Sequence, residues 1–477
     1  MSSKLLSYLW NSVEKFGSQI VRFALGIILA RILSPRDYGL IGLLIVFTAV
    51  AQIFVDSGFS KALIQRNDKN PKEVNTTFTF NLIISLLLYL ILFFSAPSIA
   101  AFYEETVLVS LLRVLALTLI INALFAIPNT LLSIDLNFKR MAYINFSAII
   151  ISGILAIYLA IKGFGVWALV YQYLSKSIIT LVFFWSSKVW KPTIMLHKPS
   201  LKKLFSFGVN ITISSLLNQI VGKFSWLIIG KSFSTADLGY YNRGIQFPDT
   251  AIGTLGTVLD TVLLPNLAKT SDEEALRKEV SNVLKYLSII TIPITVSLIV
   301  LAEPLILVLL TSKWSPAIPI LQIFCFSRFV TNFSSLSINA LYTINKANLV
   351  LRQQYLKMAV RIVSILLTIR YGIVFLALGE LIAVIINFAI GTYYPGKLLK
   401  FGFLDQMRIL WPYLLIGAME LIILYGLTLL VTQPVAKLCV IPMFGILLHL
   451  ILLYAVRRKD YESLKSLIFK LIKKNEK

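Results

Sequence analysis

Histidine and cysteine are nearly missing from this chain, with two of each among 477 residues. His197 and His449 stand far apart, and neither has a second ligand at metal-binding spacing. No resident metal is expected. Cys325 and Cys439 sit in separate apolar segments, where two buried small hydrophobes are expected rather than a disulfide. Charge is scarce as well. Asp, Glu, Lys and Arg make up 14% of the residues and hydrophobic types 57%, against roughly 25% charged in an average soluble domain. That excludes a soluble multidomain protein. A nucleophile–base pair, a glycine-rich phosphate loop and a metal cluster are also lacking, so no catalytic residue and no cofactor is assigned.

The little charge present is lopsided: 45 Lys and Arg against 22 Asp and Glu, a net +23. Such an excess would suit nucleic acid, but its placement argues otherwise. The basic residues fall in short loops on alternate sides of successive apolar segments, as the positive-inside rule expects of a multi-pass membrane protein. No small-residue cleavage site follows the first apolar core, so that segment is expected to stay as a membrane span.

About 14 spans can be read, since roughly 20 apolar residues cross the hydrocarbon core. They fall near 9–33, 38–60, 76–98, 107–133, 141–161 and 165–187, then 205–231, 236–267, 282–310, 316–343, 349–371 and 373–395, with a last pair near 409–432 and 435–456. The two sets of six echo each other. Arg31, Ser34, Asp37 and Gly39 recur as Lys231, Ser234, Asp237 and Gly239, and Gln19-Ile-Val21 as Gln219-Ile-Val221, all at one offset of 200 residues. An even number of spans per repeat makes it parallel, about an axis along the membrane normal. The expected fold is an all-α integral membrane protein with an N-terminal lobe (1–187) and a C-terminal lobe (205–395). Between them lies an interfacial linker (188–204). A further helix pair (396–456) and a basic amphipathic tail (457–477) follow. Linker and tail mix apolar with basic residues and are expected at the lipid surface.

One set of loops, with Lys4 and the tail, holds about 30 of the basic residues and is assigned to the cytoplasm, with both termini. The opposite loops hold few, beside Glu104 and Glu105. The longest polar connections, 186–204 and 268–281, are cytoplasmic, which leaves no outer loop large enough for a polymerase or ligase.

Ionisable groups at the middle of a span cost about 2.5–3.5 kcal/mol, so they face partners or water. Lys15, Gln19 and Arg22 lie on one face of the first span. Gln219 and Lys223 hold the equivalent places in the seventh, and Arg243 lies near the outer end of the eighth. The expectation is a cationic cavity between the lobes. Against it stands pairing with Glu14, Asp56, Asp249 or Asp260, or snorkelling, above all for Lys15. Asp249, Gly253, Gly256 and Asp260 form one stripe on the eighth span. Asp56, Asp249 and Asp260 are candidates for coupling to H+ or Na+, or for neutralising the cavity cations. Arg113, Lys176, Arg328 and Arg361 are expected to pair with Glu380, Glu420 or backbone carbonyls. In the turns at Asp37 and Asp237 the acid is expected to cap the next helix and the glycine to permit close packing.

Leu29-Ala-Arg-Ile-Leu-Ser-Pro-Arg-Asp-Tyr-Gly39, Phe54-Val-Asp-Ser-Gly-Phe59, Ala96-Pro-Ser-Ile-Ala-Ala-Phe-Tyr103 and Gly163-Phe-Gly-Val-Trp-Ala-Leu169 resemble bacterial polysaccharide flippases. These are the Wzx-type O-antigen and exopolysaccharide transporters of the multidrug/oligosaccharidyl-lipid/polysaccharide exporter superfamily, and the colanic-acid-exporter branch is the nearest. The resemblance covers nearly the whole chain. It implies a two-lobed helical bundle in the inner membrane that flips undecaprenyl-diphosphate-linked oligosaccharide by alternating access. The cavity would be cationic, with membrane lipid and other polysaccharide-assembly proteins as partners, and the protein is expected to be monomeric. A cation-coupled multidrug antiporter of the same superfamily is the alternative. It would present carboxylates and aromatics to its cargo.

Overall fold

The structure is a computed structural model that describes residues 3–56, 58–66, 70–256, 272–344 and 346–475. The side chains of 3–9, 11–13, 15, 16, 61, 65, 66, 206, 207, 210, 211, 347 and 467–475 are outside that description, as is Asp260 altogether. The described chain is helical, with two compact units, Met1–Gly239 and Tyr240–Lys477.

The first unit contains α1 (Ser3–Ile32), α2 (Pro35–Asp56), α3 (Phe59–Arg66), α4 (Pro71–Tyr103) and α5 (Leu108–Leu115). It continues with α6 (Leu117–Ile134), α7 (Phe138–Ile161), α8 (Val166–Ser186) and α9 (Lys198–Ser232). The second holds most of α10 (Thr235–Pro248), a π-helical turn (Asp249–Gly253), α11 (Glu273–Val300), α12 (Ala302–Leu305) and α13 (Ala317–Thr343). After these come α14 (Ala347–Thr368), α15 (Ile373–Leu399), α16 (Phe403–Leu430), α17 (Pro434–Val456) and α18 (Arg458–Asn475).

Ten helical stretches among the described residues are long and apolar enough to cross a membrane. The four expected spans outside that set correspond to α1, α9, α10 with its π-helical turn, and α14. These are segments whose apolar run is broken by charge or, at 257–271, lies outside the described residues. The protein is a multi-pass membrane protein. On its outside α4 presents Ile83, Leu86, Leu87, Leu90, Ile91 and Phe94 at helical spacing, all exposed and suited to lipid. Inside, α7 packs on α1 and α8, and its Ala148, Ser152, Ala156 and Ala160, four residues apart, are buried. Small residues of this kind let membrane helices approach closely. A Cβ on Gly153 would meet Leu25 Cδ1 at 2.3 Å.

The repeat and the packing divide the chain at different places. α1 leans on α7 of its own repeat, whereas α9, its counterpart at the 200-residue offset, packs on α2, α3 and α4. Lys203 Nζ bonds the buried Glu73 at 3.3 Å across that contact. The 188–197 segment lies along α4, its Met195 and His197 N–H groups donating to Thr79 and Thr76 at 3.0 and 3.1 Å.

The echoed turns meet. Ser34 and Asp37 form a capping box: the Ser34 N–H donates to Asp37 Oδ2 at 2.8 Å and the Asp37 N–H to Ser34 Oγ at 3.2 Å. Ser234 and Asp237 repeat it, both bonds at 3.1 Å. Serine is thus the cap and the acid closes the box. A Cβ on Gly39 would lie 1.6 Å from the Thr235 carbonyl oxygen, and one on Gly239 would lie 1.9 Å from that of Pro35. Residues 35 and 39 therefore face 235 and 239 reciprocally. The acids after α4 fasten both turns. Glu105 accepts from Arg36 Nη2 at 2.7 Å and Thr235 Oγ1 at 3.0 Å, and Glu104 from Lys231 Nζ at 2.9 Å. The Lys231 hydrogen bond and charge hold the Glu104 carboxyl below its usual pKa.

The second unit is built around Phe329, Phe333, Tyr413 and Ile416. Tyr413 and Arg457 both donate to Asp460, at 2.9 and 2.7 Å, which docks the start of α18 on the bundle. Between α16 and α17, Glu420 Oε2 and His449 Nδ1 lie 3.1 Å apart, almost wholly buried. Glu380 accepts from Arg361 at 3.1 Å, and Arg113 donates to the Phe93 carbonyl at 3.3 Å, so those two arginines pair as the sequence suggests. Cys325 is buried, but Cys439 is on the exposed face of α17 and is not the buried hydrophobe expected.

Candidate functional site

A cavity of about 790 Å³ opens within the first unit, bounded by α1, α2, α3, α6, α7, α8 and α9. That size falls in the range of about 300–1,000 Å³ typical of ligand pockets. Its position follows from α6, where Thr118, Asn122, Phe125, Asn129 and Ser133 recur three or four residues apart and share one face. Gln52 and Asp56 are one turn apart on α2 and do the same.

Amides link these faces. Asn122 Nδ2 donates to Gln52 Oε1, and Gln52 Nε2 to Asp56 Oδ1, each at 3.0 Å. Asn145 Nδ2 donates to Glu14 Oε1 at 2.7 Å, tying α7 to α1. The hydroxyls turn back on their own helices: Thr48, Thr130, Thr180 and Thr212 each donate to the carbonyl four residues earlier, at 2.7–3.0 Å. That satisfies their protons and leaves oxygen lone pairs facing the cavity as acceptors. Donors come from Asn129 and Lys176, which make no side-chain hydrogen bond or ion pair among the described residues. Arg22 adds positive charge within electrostatic reach of Lys176. One wall is aromatic, with Phe125 and Phe184 stacked at 5.6 Å. The polar part of the lining is therefore mostly neutral donors and acceptors, with one lysine and two carboxylates already hydrogen-bonded by amides, set among apolar side chains.

Of the residues singled out by sequence, Asp56 lines this cavity. Arg22 is exposed on α1, its Nε donating to the Ser18 carbonyl at 3.1 Å, and Gln19 beside it is half-buried. Lys15 belongs to α1, but its side chain, like all of Asp260, lies outside the described residues. Gln219 is half-buried on α9, and one turn on the Lys223 ammonium sits 3.3 Å from the centroid of the Trp226 ring. In the second unit Arg243 is buried, bonded to Gln246 and above the Trp314 ring, and Asp249 is bonded by Arg328. Lys176, expected to pair structurally, lines the cavity instead, and Gln52, Asn122, Asn129 and Asn145 were missed. Their signal is amides and hydroxyls at helical spacing inside apolar spans, weaker than that of a buried charge.

The chain matches the family described as polysaccharide biosynthesis protein over residues 28–319, more than half its length. It is 26% identical over 429 residues to the teichuronic acid biosynthesis protein TuaB of Bacillus subtilis, with 88% of each chain covered. The succinoglycan biosynthesis transport protein ExoT of Rhizobium meliloti is 24% identical over 320 residues, 67% of this chain and 65% of that one. Among solved structures, the lipid II flippase MurJ in an inward closed conformation shares the fold. Its TM-score is 0.76 at 17% identity, over 95% of this chain and 99% of that one. The chain belongs to the polysaccharide biosynthesis protein family.

Proposed function

We propose that this protein flips undecaprenyl-diphosphate-linked oligosaccharide units across the bacterial inner membrane by alternating access, for O-antigen, capsule or exopolysaccharide synthesis. The observation that carries the reading is a cavity of about 790 Å³ whose polar groups are mainly amides and hydroxyls, inside a bundle whose outer faces suit lipid. Sugar hydroxyls both donate and accept, and this lining offers acceptors from the threonines and donors from Asn129 and Lys176. Family membership, the succinoglycan transport role in ExoT's name and the flippase fold of MurJ support it. The same reading sets both termini in the cytoplasm and uses Asp56 for coupling to H+ or Na+.

Glu14 and Asp56 in the same cavity favour a second reading, a cationic drug as cargo. Complementation separates the two. In a host deleted for this gene, the wild-type chain restores surface polysaccharide. Lys176→Met and Asn129→Leu, at normal protein levels, lower it by about tenfold or more, as each removes a bond worth roughly 1.5 kcal/mol to a polar ligand. Full export by both variants, or drug resistance without polysaccharide, refutes the glycan reading.

A further inference from the structure

In the second unit, two helix-borne arginines are held by carboxylates in different ways. Arg361 Nη2 reaches both oxygens of Glu380 at 3.1 Å, and that acid is 7% exposed. It is enclosed, and its charge also acts on Arg328. Arg328, midway along α13, is bonded through Nε to a single oxygen of Asp249, whose side chain is 47% exposed. Its Nη groups have no hydrogen-bond partner among the described residues. The Phe324 ring, with the guanidinium carbon 5.5 Å from its centroid, props the fork from behind. Asp249 opens the π-helical turn, an irregularity that frequently marks working sites in helices. Beside it a Cβ on Gly253 would meet only Asp249 Oδ1 and the Pro248 carbonyl, both at 3.9 Å, so the carboxylate has room to swing.

We propose that Arg328 is a substrate-binding residue of the second unit and Asp249 its exchangeable internal counter-ion. The fork takes an oxyanion of the cargo, either the lipid diphosphate or a sugar carboxylate. Asp249 yields its place on binding and takes it back on release. Arginine suits this exchange because its planar fork stays charged and can meet either the carboxylate of Asp249 or an incoming phosphate or carboxylate, the latter through two parallel bonds. The returning carboxylate keeps release from being limited by a buried, unpaired cation. Arg243, the cation chosen from sequence for this part of the chain, is buried against Gln246 and Trp314, whereas Arg328 is partly open. The inference rests on the flippase reading and adds the residues that meet the charged part of the cargo.

The test is equilibrium binding to the purified full-length protein in detergent, with two probes: undecaprenyl diphosphate and a glucuronate-bearing oligosaccharide. Asp249→Asn is expected to tighten one probe about fivefold and Arg328→Gln to weaken the same probe tenfold or more. The double variant should behave like Arg328→Gln. Arg328→Lys, which keeps the charge without the fork, should fall between. Whichever probe responds identifies the oxyanion. If wild type binds a probe and no variant changes its affinity, the exchange pair is refuted while the flippase reading stands. If wild type binds neither probe, both fall.

Discussion

Alanine at Gly39 or Gly239 is expected to destabilise the first unit by about 3 kcal/mol, the upper end of what overpacking costs. The reason is that the obstacle is backbone. The added carbons would sit 1.6 and 1.9 Å from carbonyl oxygens of the facing turn, where real Cβ atoms essentially never come closer than 3.0 Å. No rotamer relieves that, so the turns must part by more than 1 Å and pull on the bonds from Glu104 and Glu105. Because the contacts are reciprocal, one displacement serves both. The double variant should cost little more than either single one, a departure from additivity that marks directly coupled sites. Gly222→Ala and Gly426→Ala are the controls. Nothing lies within 4 Å of a Cβ at either helical position, so they should be neutral or stabilising by up to about 1 kcal/mol. Thermal unfolding of the purified protein reads all five variants. Additive losses at 39 and 239, or losses equal to the controls, would show that the turns are not in mutual contact.

The second large effect is expected at Glu420 and His449. Both are almost wholly buried, and their 3.1 Å contact joins α16 to α17. Glu420 Oε1 and His449 Nε2 have no other partner among the described residues. Removing His449 alone, as His449→Leu, strands an acid in an apolar bundle and should cost about 3 kcal/mol, the lower end for breaking a buried pair. Replacing both with leucine removes the need for a partner and should recover most of that loss. A double variant as unstable as the single would mean that these residues act through shape rather than through their bond.

Much of the fold was legible because a membrane leaves few options: an apolar run of span length becomes a helix. The turn repeat was legible too, down to the glycine that permits close packing, though not that the two turns would pack on each other. Arg361 and Glu380 were legible as partners because a buried cation needs an acid. The cavity was not, because most of its polar residues are neutral. Asn122 or Thr130 in an apolar span costs far less than a lysine and draws no attention, yet a row of them on one face forms a polar wall. Lys176 failed for the opposite reason: it was assigned a pairing partner by default, and among the described residues it has none. The π-helical turn at Asp249 was invisible, since no residue pattern marks one inserted residue within a helix.

Lipid transfer by the reconstituted protein is the decisive measurement. The full chain is placed in liposomes carrying an undecaprenyl-diphosphate-linked oligosaccharide, and transfer between leaflets is followed by the accessibility of the glycan to an external glycosidase. Transfer is expected well above that in protein-free liposomes, and reduced about tenfold by Lys176→Met. Transfer no faster than in protein-free liposomes, with the protein folded and inserted, would contradict the flippase reading.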